Sequence, residues 1–132
     1  MKKIDESAMT LGDYLVARKH SRETKLDAIN RCINWNQLDK LLKRKLKRES
    51  NAVGHPAYPA LVMFKCLVLQ RLYNLSDAEL EESLVDRLSF IRFIGLGIED
   101  DIPDSSTICR FRNSLLEENL SKRLFDKLLL QL

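Results

Sequence analysis

The sequence has few of the residues that metal sites and disulfide frameworks need. Its 132 residues include three cysteines and two histidines. The cysteines are far apart and form no CxxC pair, and neither histidine has a companion at ligand spacing. We therefore expect reduced, mostly packed thiols, no bound metal and no cofactor. These residues are Cys32, Cys66, Cys109, His20 and His55.

Long apolar runs are also missing. The most apolar stretch covers residues 60–69 and contains Lys65, whereas a membrane-spanning helix takes roughly twenty apolar residues. Charged and polar residues recur within residues 1–7, which therefore lack the apolar core of a signal peptide. The stretch over 60–69 therefore predicts a buried core helix, and we expect a cytoplasmic protein with no membrane partner.

Neither a large net charge nor a β-strand pattern is present. The formal net charge is +3, with 31% charged residues, and this balance suits many proteins that bind no nucleic acid. Alternating β-branched runs are lacking, while apolar residues recur at spacings of three and four along almost the whole chain. The sequence predicts an all-α protein, a multi-helix bundle.

The first third of the chain predicts two short helices and one basic amphipathic helix. The short ones cover residues 11–18 and 25–33. In the third, over about 36–48, leucines at spacings of three and four form one stripe and basic residues crowd the remainder. The basic face is either simply solvated or contacts DNA phosphates without reading sequence. Its proposed contact residues are Lys43, Arg44 and Lys47.

Turn-forming residues over 48–58 predict a linker, after which several helix boundaries can be located. Pro59 precedes the apolar helix, and Ser76-Asp77-Ala78-Glu79 is a capping box that begins a helix to about Val85. Asp86 is predicted to cap a short helix through Ile94, which Gly95 and Gly97 end. A final amphipathic helix starts at about Leu120.

Pro103-Asp104-Ser105 predicts the turn and N-cap of another helix. Ser105, Ser106 and Thr107 would lie on its first turn, where their donors can reach phosphates or base edges; alternatively, they only start and cap the helix. Arg110 and Arg112 follow on different faces, because two positions are about 200° apart on a helix. Ile108, Phe111 and Cys109 are expected to be buried.

The order of these elements favours a helix-turn-helix-like unit. A buried helix is followed by a capped helix, a short helix and then the helix with serines and arginines. In a helix-turn-helix unit of this kind, one helix crosses the DNA backbone and the next enters the major groove. We divide the chain into N-terminal helices (1–53), a helical core with this unit (54–118) and a terminal amphipathic helix (119–132).

Three blocks in this region resemble the N-terminal domain of InsH-like insertion-sequence transposases, whose catalytic domain is of the DDE class. The first covers residues 55–65 and continues through 69–77, the second covers 80–93, and the third covers 103–112. They occur in the family's order and spacing. The resemblance implies binding to double-stranded DNA at the terminal inverted repeats of an element, while a separate RNase H-like domain cuts and joins strands. It thus also implies a protein associated with the nucleoid.

The resemblance also implies that the chain is not itself an enzyme, because it stops at Leu132, before the family's catalytic carboxylates. Asp100, Asp101 and Asp104 are close in sequence, but we interpret them as loop and cap residues. The chain would then be a truncated or split transposase product that binds DNA.

Two alternatives remain open. The first is a helical protein-interaction module, dimerising through its leucine-rich terminal helix or inhibiting a full-length transposase by pairing with it. The second is a remnant without a present role.

Overall fold

The computed structural model describes residues 10–11, 23–46 and 58–132. Within these ranges the chain forms helices and no strand, which confirms the predicted all-α class. Only Leu11 of the predicted helix over 11–18 and only residue 58 of the predicted linker over 48–58 are among the described residues. The helices are α1 (Lys25–Cys32), α2 (Trp35–Lys45), α3 (Ala60–Tyr73), α4 (Asp77–Asp86), α5 (Leu88–Ile94), α6 (Ser105–Glu117) and α7 (Ser121–Leu129).

Helix α3 is the centre of the bundle, as its apolar sequence predicts. Every residue from Val62 to Leu69 is buried, and α2, α4, α5 and α6 all pack against it. The side chains of Phe64 and Leu69 are fully buried. A helix that is apolar on all sides has to be enclosed by other elements, because any face left in water would lose the free energy of burial. None of the described helices is both long and apolar enough to cross a membrane.

The other helices contribute one apolar side each to the same core. In α2 the predicted leucine stripe is buried, with Leu38 and Leu42 fully inaccessible. In α7, Leu124 and Leu128 are 0% and 5% exposed because this helix packs against α2 and α6. Leu124 and Leu128 of the predicted terminal stripe therefore belong to the bundle's own core and are not available to a partner, whereas Leu129 and Leu132 are exposed. Dimerisation through the terminal helix remains a prediction.

Side-chain caps define where several helices begin. The predicted capping box of α4 is confirmed: Ser76 accepts a hydrogen bond from the Glu79 N–H, and the Glu79 carboxylate accepts one from the Ser76 N–H. The predicted cap at Asp86 is wrong. Asp86 is the last residue of α4, and only Arg87, in an extended conformation, separates α4 from α5. Because the connection is a single residue, the N-cap position of α5 is occupied by Arg87 and not by Asp86.

The two glycines after α5 have different roles. Gly95 ends the helix in the left-handed region, with φ of 90°, as predicted for a residue without a Cβ. Gly97 does not take up this conformation, so the prediction for it is wrong. Its N–H instead donates to the Asp100 carboxylate at 2.7 Å, which closes the turn after α5.

Two arginine–carboxylate pairs connect helices that are distant in sequence. Arg92 of α5 donates to both carboxylate oxygens of Asp27 in α1, at 2.9 and 2.8 Å. Arg112 of α6 pairs with Asp77 of α4 and donates to Gln70 of α3 at 2.8 Å. Such bidentate, charge-assisted contacts fix the relative orientation of the helices.

One charged side chain is buried in the core of the bundle. Lys65 is 8% exposed, and its ammonium donates to Asn30 Oδ1 at 2.9 Å and lies 4.5 Å from the centre of the Trp35 ring. Burial lowers the pKa of Lys65 to about 8. The hydrogen bond and the cation–π contact partly offset the cost of removing this charge from water.

Candidate nucleic-acid interface

Helix α6 is the predicted DNA-reading helix, and its sequence explains how it is held. Asp104 is its N-cap, accepting the Thr107 N–H at 2.8 Å. Ile108, Phe111 and Leu115 are buried, which confirms the predicted inward orientation of Ile108 and Phe111. Because the helix packs against α3, α4 and α7, its opposite side faces outward on a rigid support.

The outward side of α6 presents Ser106, Arg110 and Asn113, all exposed. Spacings of four and three residues place them on one face of the helix. Arg110 Nη2 lies 3.4 Å from Thr107 Oγ1, which is a long hydrogen bond. Cys109 is half-buried beside this face, so the prediction that it is buried is wrong. Its position between the inward residues and the outward face leaves its side chain at the boundary.

Asn113 is absent from our sequence-predicted site, although its spacing could have identified it. It follows Ser106 by seven residues and Arg110 by three, and thus continues the face on which those residues were predicted. Its Nδ2 contacts Cys109 Sγ at 3.9 Å, a weak acceptor. Asn113 therefore belongs with Arg110 in the candidate interface.

The first turn of α6 makes hydrogen bonds within the chain. The Ser105 N–H donates to Glu81 Oε1 at 2.8 Å, and Ser106 Oγ donates to Asp104 Oδ1 at 3.0 Å. Hydrogen bonds from Thr107 and Ser106 lower the pKa of Asp104 to about 2. Two carboxylates therefore lie at the start of the helix, where an approaching phosphate would meet negative charge. To contact DNA as predicted, Ser105, Ser106 and Thr107 would have to replace their hydrogen bonds to Glu81 and Asp104 by bonds to DNA, or make both at once.

The two arginines of α6 differ in their surroundings. Arg112 is half-buried and joined to Asp77 and Gln70, whereas Arg110 is exposed. This confirms that they lie on different faces. The hydrogen bonds from Arg112 lower the pKa of Asp77, and the same pairing raises the pKa of Arg112. The structure thus gives Arg112 a role in holding α6 on α3 and α4, and its predicted contact with DNA remains a prediction.

The basic residues of α2 form a second candidate surface. Lys43, Arg44 and Lys45 in its last turn are exposed, and Lys43 pairs with Asp39 at 3.0 Å, one helical turn earlier. Lys47 lies outside the described residues. Lys43 and Arg44 lie on the side of α2 away from the leucine stripe, so packing of α2 on the core directs them to solvent, whereas Lys45 is exposed at the end of the helix.

The end of α2 and the start of α6 lie near the same end of α3. Lys43 and Leu46 line one cavity together with residues 59–62, at the beginning of α3. Tyr58 lies just before α3, and its pKa is raised mainly by burial and, in addition, by the negative charges of Asp101 and Asp104, which lie close to it. The fold therefore brings two of the sequence-predicted surfaces toward one end of the bundle.

Two acidic residues before α6, Asp100 and Asp104, hold the loop and cap the helix through their hydrogen bonds. Asp100 accepts the Gly97 N–H, and Asp104 caps α6. Within the described part of the chain, no three His, Cys, Asp or Glu residues are grouped so as to hold a metal ion.

Comparison with known families matches this chain to one family model. The model, described as Transposase domain (DUF772), matches residues 14–114. No solved structure matches the chain. The matched range includes all three blocks that resemble InsH-like transposases, and it extends from before α1 to within α6. Since the match covers most of the chain, the protein belongs to the Transposase domain (DUF772) family, in agreement with its resemblance to the N-terminal region of InsH-like transposases.

Proposed function

We propose that this chain binds double-stranded DNA at the terminal inverted repeats of an insertion sequence, as the N-terminal part of its transposase. The family supports a role connected with transposition. The observation that carries the DNA-binding role is the outward face of α6, where exposed Arg110 and Asn113 lie on a helix fixed by its buried side. Rigid presentation lowers the entropy cost of ordering these side chains on DNA.

In this proposal α6 enters the major groove and α4 supports it. The two helices pack against each other, and α5 follows α4 after a single residue. The unit departs from a standard helix-turn-helix in the connection before α6, which takes residues 95–104 instead of a turn of three or four residues. Phosphate contacts would come from Lys43 and Arg44 of α2, which neutralise backbone charge without reading bases.

Strand cutting and joining are assigned in this proposal to residues outside the described helices. Two-metal chemistry needs carboxylates that converge on a pair of ions. Asp27 and Asp77 are instead paired with arginines, and Asp104 caps α6. The role that we propose for the bundle is therefore recognition of DNA rather than catalysis.

Fluorescence anisotropy with a labelled duplex that carries the element's terminal repeat tests the proposal. We expect tighter binding to the repeat than to a scrambled duplex. Arg110→Ala should weaken binding to the repeat about tenfold or more, as for the loss of one base-reading side chain. Arg31→Ala is the matched control, since Arg31 is an exposed arginine on α1, and it should leave binding unchanged.

A salt series separates base reading from charge attraction. Lys43→Ala combined with Arg44→Ala should weaken binding to both duplexes equally and reduce its salt dependence. Equal binding of the unchanged protein to both duplexes would reduce the function to non-specific attraction. A lack of binding at low salt would reject the proposal.

The second candidate function is interaction with another protein, including a full-length transposase. It is favoured by exposed leucines at the end of the bundle: Leu129, Leu130 and Leu132 are 62%, 87% and 65% exposed. Exposed apolar groups that are close together often mark a protein contact. A strictly monomeric mass by light scattering across the concentration range would argue against self-association through these side chains.

A further inference from the structure

The spacing of Arg110 and Asn113 suits two adjacent base pairs. Three residues on an α-helix correspond to about 300° of rotation and about 4.5 Å of rise, so the side chains leave one face about 60° apart. Successive base pairs in B-DNA are about 3.4 Å apart. Both residues are exposed, and the flexible arginine side chain can absorb the difference of about 1 Å between these two figures.

The contacts that these side chains make in the bundle are weak. Arg110 reaches Thr107 Oγ1 only at 3.4 Å, and the Asn113 amide contacts a sulfur atom at 3.9 Å. Arg112, by comparison, holds a carboxylate and an amide oxygen at the same time. Exchanging the contacts of Arg110 and Asn113 for base edges would therefore cost little, while moving Arg112 would break the link between α6, α4 and α3.

Their chemistry specifies which bases they fit. A guanidinium is a donor only and pairs with two acceptors, which guanine presents as O6 and N7 in the major groove. A carboxamide has a donor and an acceptor, which match N7 and the N6 amino group of adenine. Ser106 is less suited to reading a base, because its hydroxyl donates to Asp104.

We infer that Arg110 and Asn113 are specificity-determining residues that read a guanine and an adenine in neighbouring base pairs. This inference rests on the proposed DNA-binding function and adds the identity of two bases within the site. Asn113 is the residue that distinguishes it from simple charge attraction, since an uncharged amide gains little from phosphates at long range.

The test measures the binding of the whole chain to the terminal-repeat duplex and to duplexes in which each base pair is replaced in turn. For the unchanged protein we expect two adjacent positions, one G·C and one A·T, where replacement weakens binding about tenfold. Asn113→Ala should remove the discrimination at the A·T position and retain it at the G·C position. Arg110→Ala should have the opposite effect.

Asn36→Ala is the matched control, since Asn36 is an exposed asparagine near the start of α2, and it should leave both discriminations intact. Circular dichroism of each variant verifies the helical fold. If the unchanged protein discriminates bases but Asn113→Ala keeps every preference, the inference is overturned and the proposed function stands. The same conclusion follows if the two discriminated positions are not adjacent. If the unchanged protein binds neither repeat nor scrambled duplex, the proposed function itself fails.

Discussion

The ion pair between Asp27 and Arg92 connects α1 to α5, and replacing Asp27 by Asn tests how much this connection stabilises the bundle. The carboxylate accepts two hydrogen bonds from the guanidinium and one from the Thr24 N–H at 2.9 Å. Asparagine keeps the size of the side chain but loses the charge and one acceptor. We therefore expect Asp27→Asn to lower the free energy of unfolding at pH 7.

The pKa of Asp27 gives the magnitude. Hydrogen bonds from Arg92 and from the Thr24 backbone lower this pKa to about 2, against an ordinary value of about 4. Without screening, this difference corresponds to about 2.5 kcal/mol. The Arg92 side chain is 36% exposed and that of Asp27 is 22% exposed, so water screens the pair, and we expect about 1 kcal/mol.

Urea unfolding, followed by circular dichroism from pH 7 to pH 2, measures both size and pH dependence. Because the folded-state pKa is lowered, the stabilisation is fully present above pH of about 4 and is lost as the pH falls through about 2. The difference between wild type and Asp27→Asn should therefore shrink over this range. Asp126→Asn, which changes an exposed carboxylate on α7, is the control. A difference that is absent at pH 7, or that stays constant down to pH 2, would refute the reasoning.

Two further predictions concern the core and the end of α5. Lys65→Met should not lower stability at pH 7, because methionine avoids the cost of burying charge that Asn30 and Trp35 only partly offset. The pKa of Lys65 is about 8 in the folded protein and near 10.5, the ordinary value, in the unfolded chain. Between these two pH values only the unfolded chain keeps the proton, so the free energy of unfolding of the wild type should rise relative to that of the variant. A constant difference in urea unfolding would contradict this. Gly95→Ala should destabilise by about 1 kcal/mol through its left-handed backbone alone, because nothing lies within 4 Å of the added methyl group. Thermal unfolding should show a smaller loss for Gly97→Ala, whose methyl group would meet only the movable Asp100 side chain at 3.3 Å, and equal losses would contradict the backbone explanation.

Much of the bundle could be predicted because local chemistry dictates it. Ser76 and Glu79 form a capping box through bonds between residues three positions apart, so the start of α4 can be read directly from the sequence. The apolar helix α3 could only be central, since no side of it suits water. The Asp86 prediction failed because the short connection at Arg87 is set by the packing of α4 and α5 together, not by a local signal.

The candidate site was less predictable from sequence. Arg110 and Arg112 have the same chemistry, and the helical period indicated only that they face different directions. Which one is exposed depends on Asp77 and Gln70, which approach Arg112 from α4 and α3. Asn113 could have been identified, because it continues the face of Ser106 and Arg110, opposite Ile108 and Phe111, which were predicted to point inward.

The sequence by itself determined the helical class, several helix ends and the family, because periodicity, caps and motif blocks are properties of neighbouring residues. Tertiary structure alone decided which polar groups remain available. It buried the Lys65 ammonium beside Trp35, joined Arg112 to Asp77, and placed Leu124 and Leu128 of the terminal helix within the core. The physical reason is that exposure, and with it the hydrogen-bonding capacity left for a partner, depends on contacts between residues that are far apart in the chain.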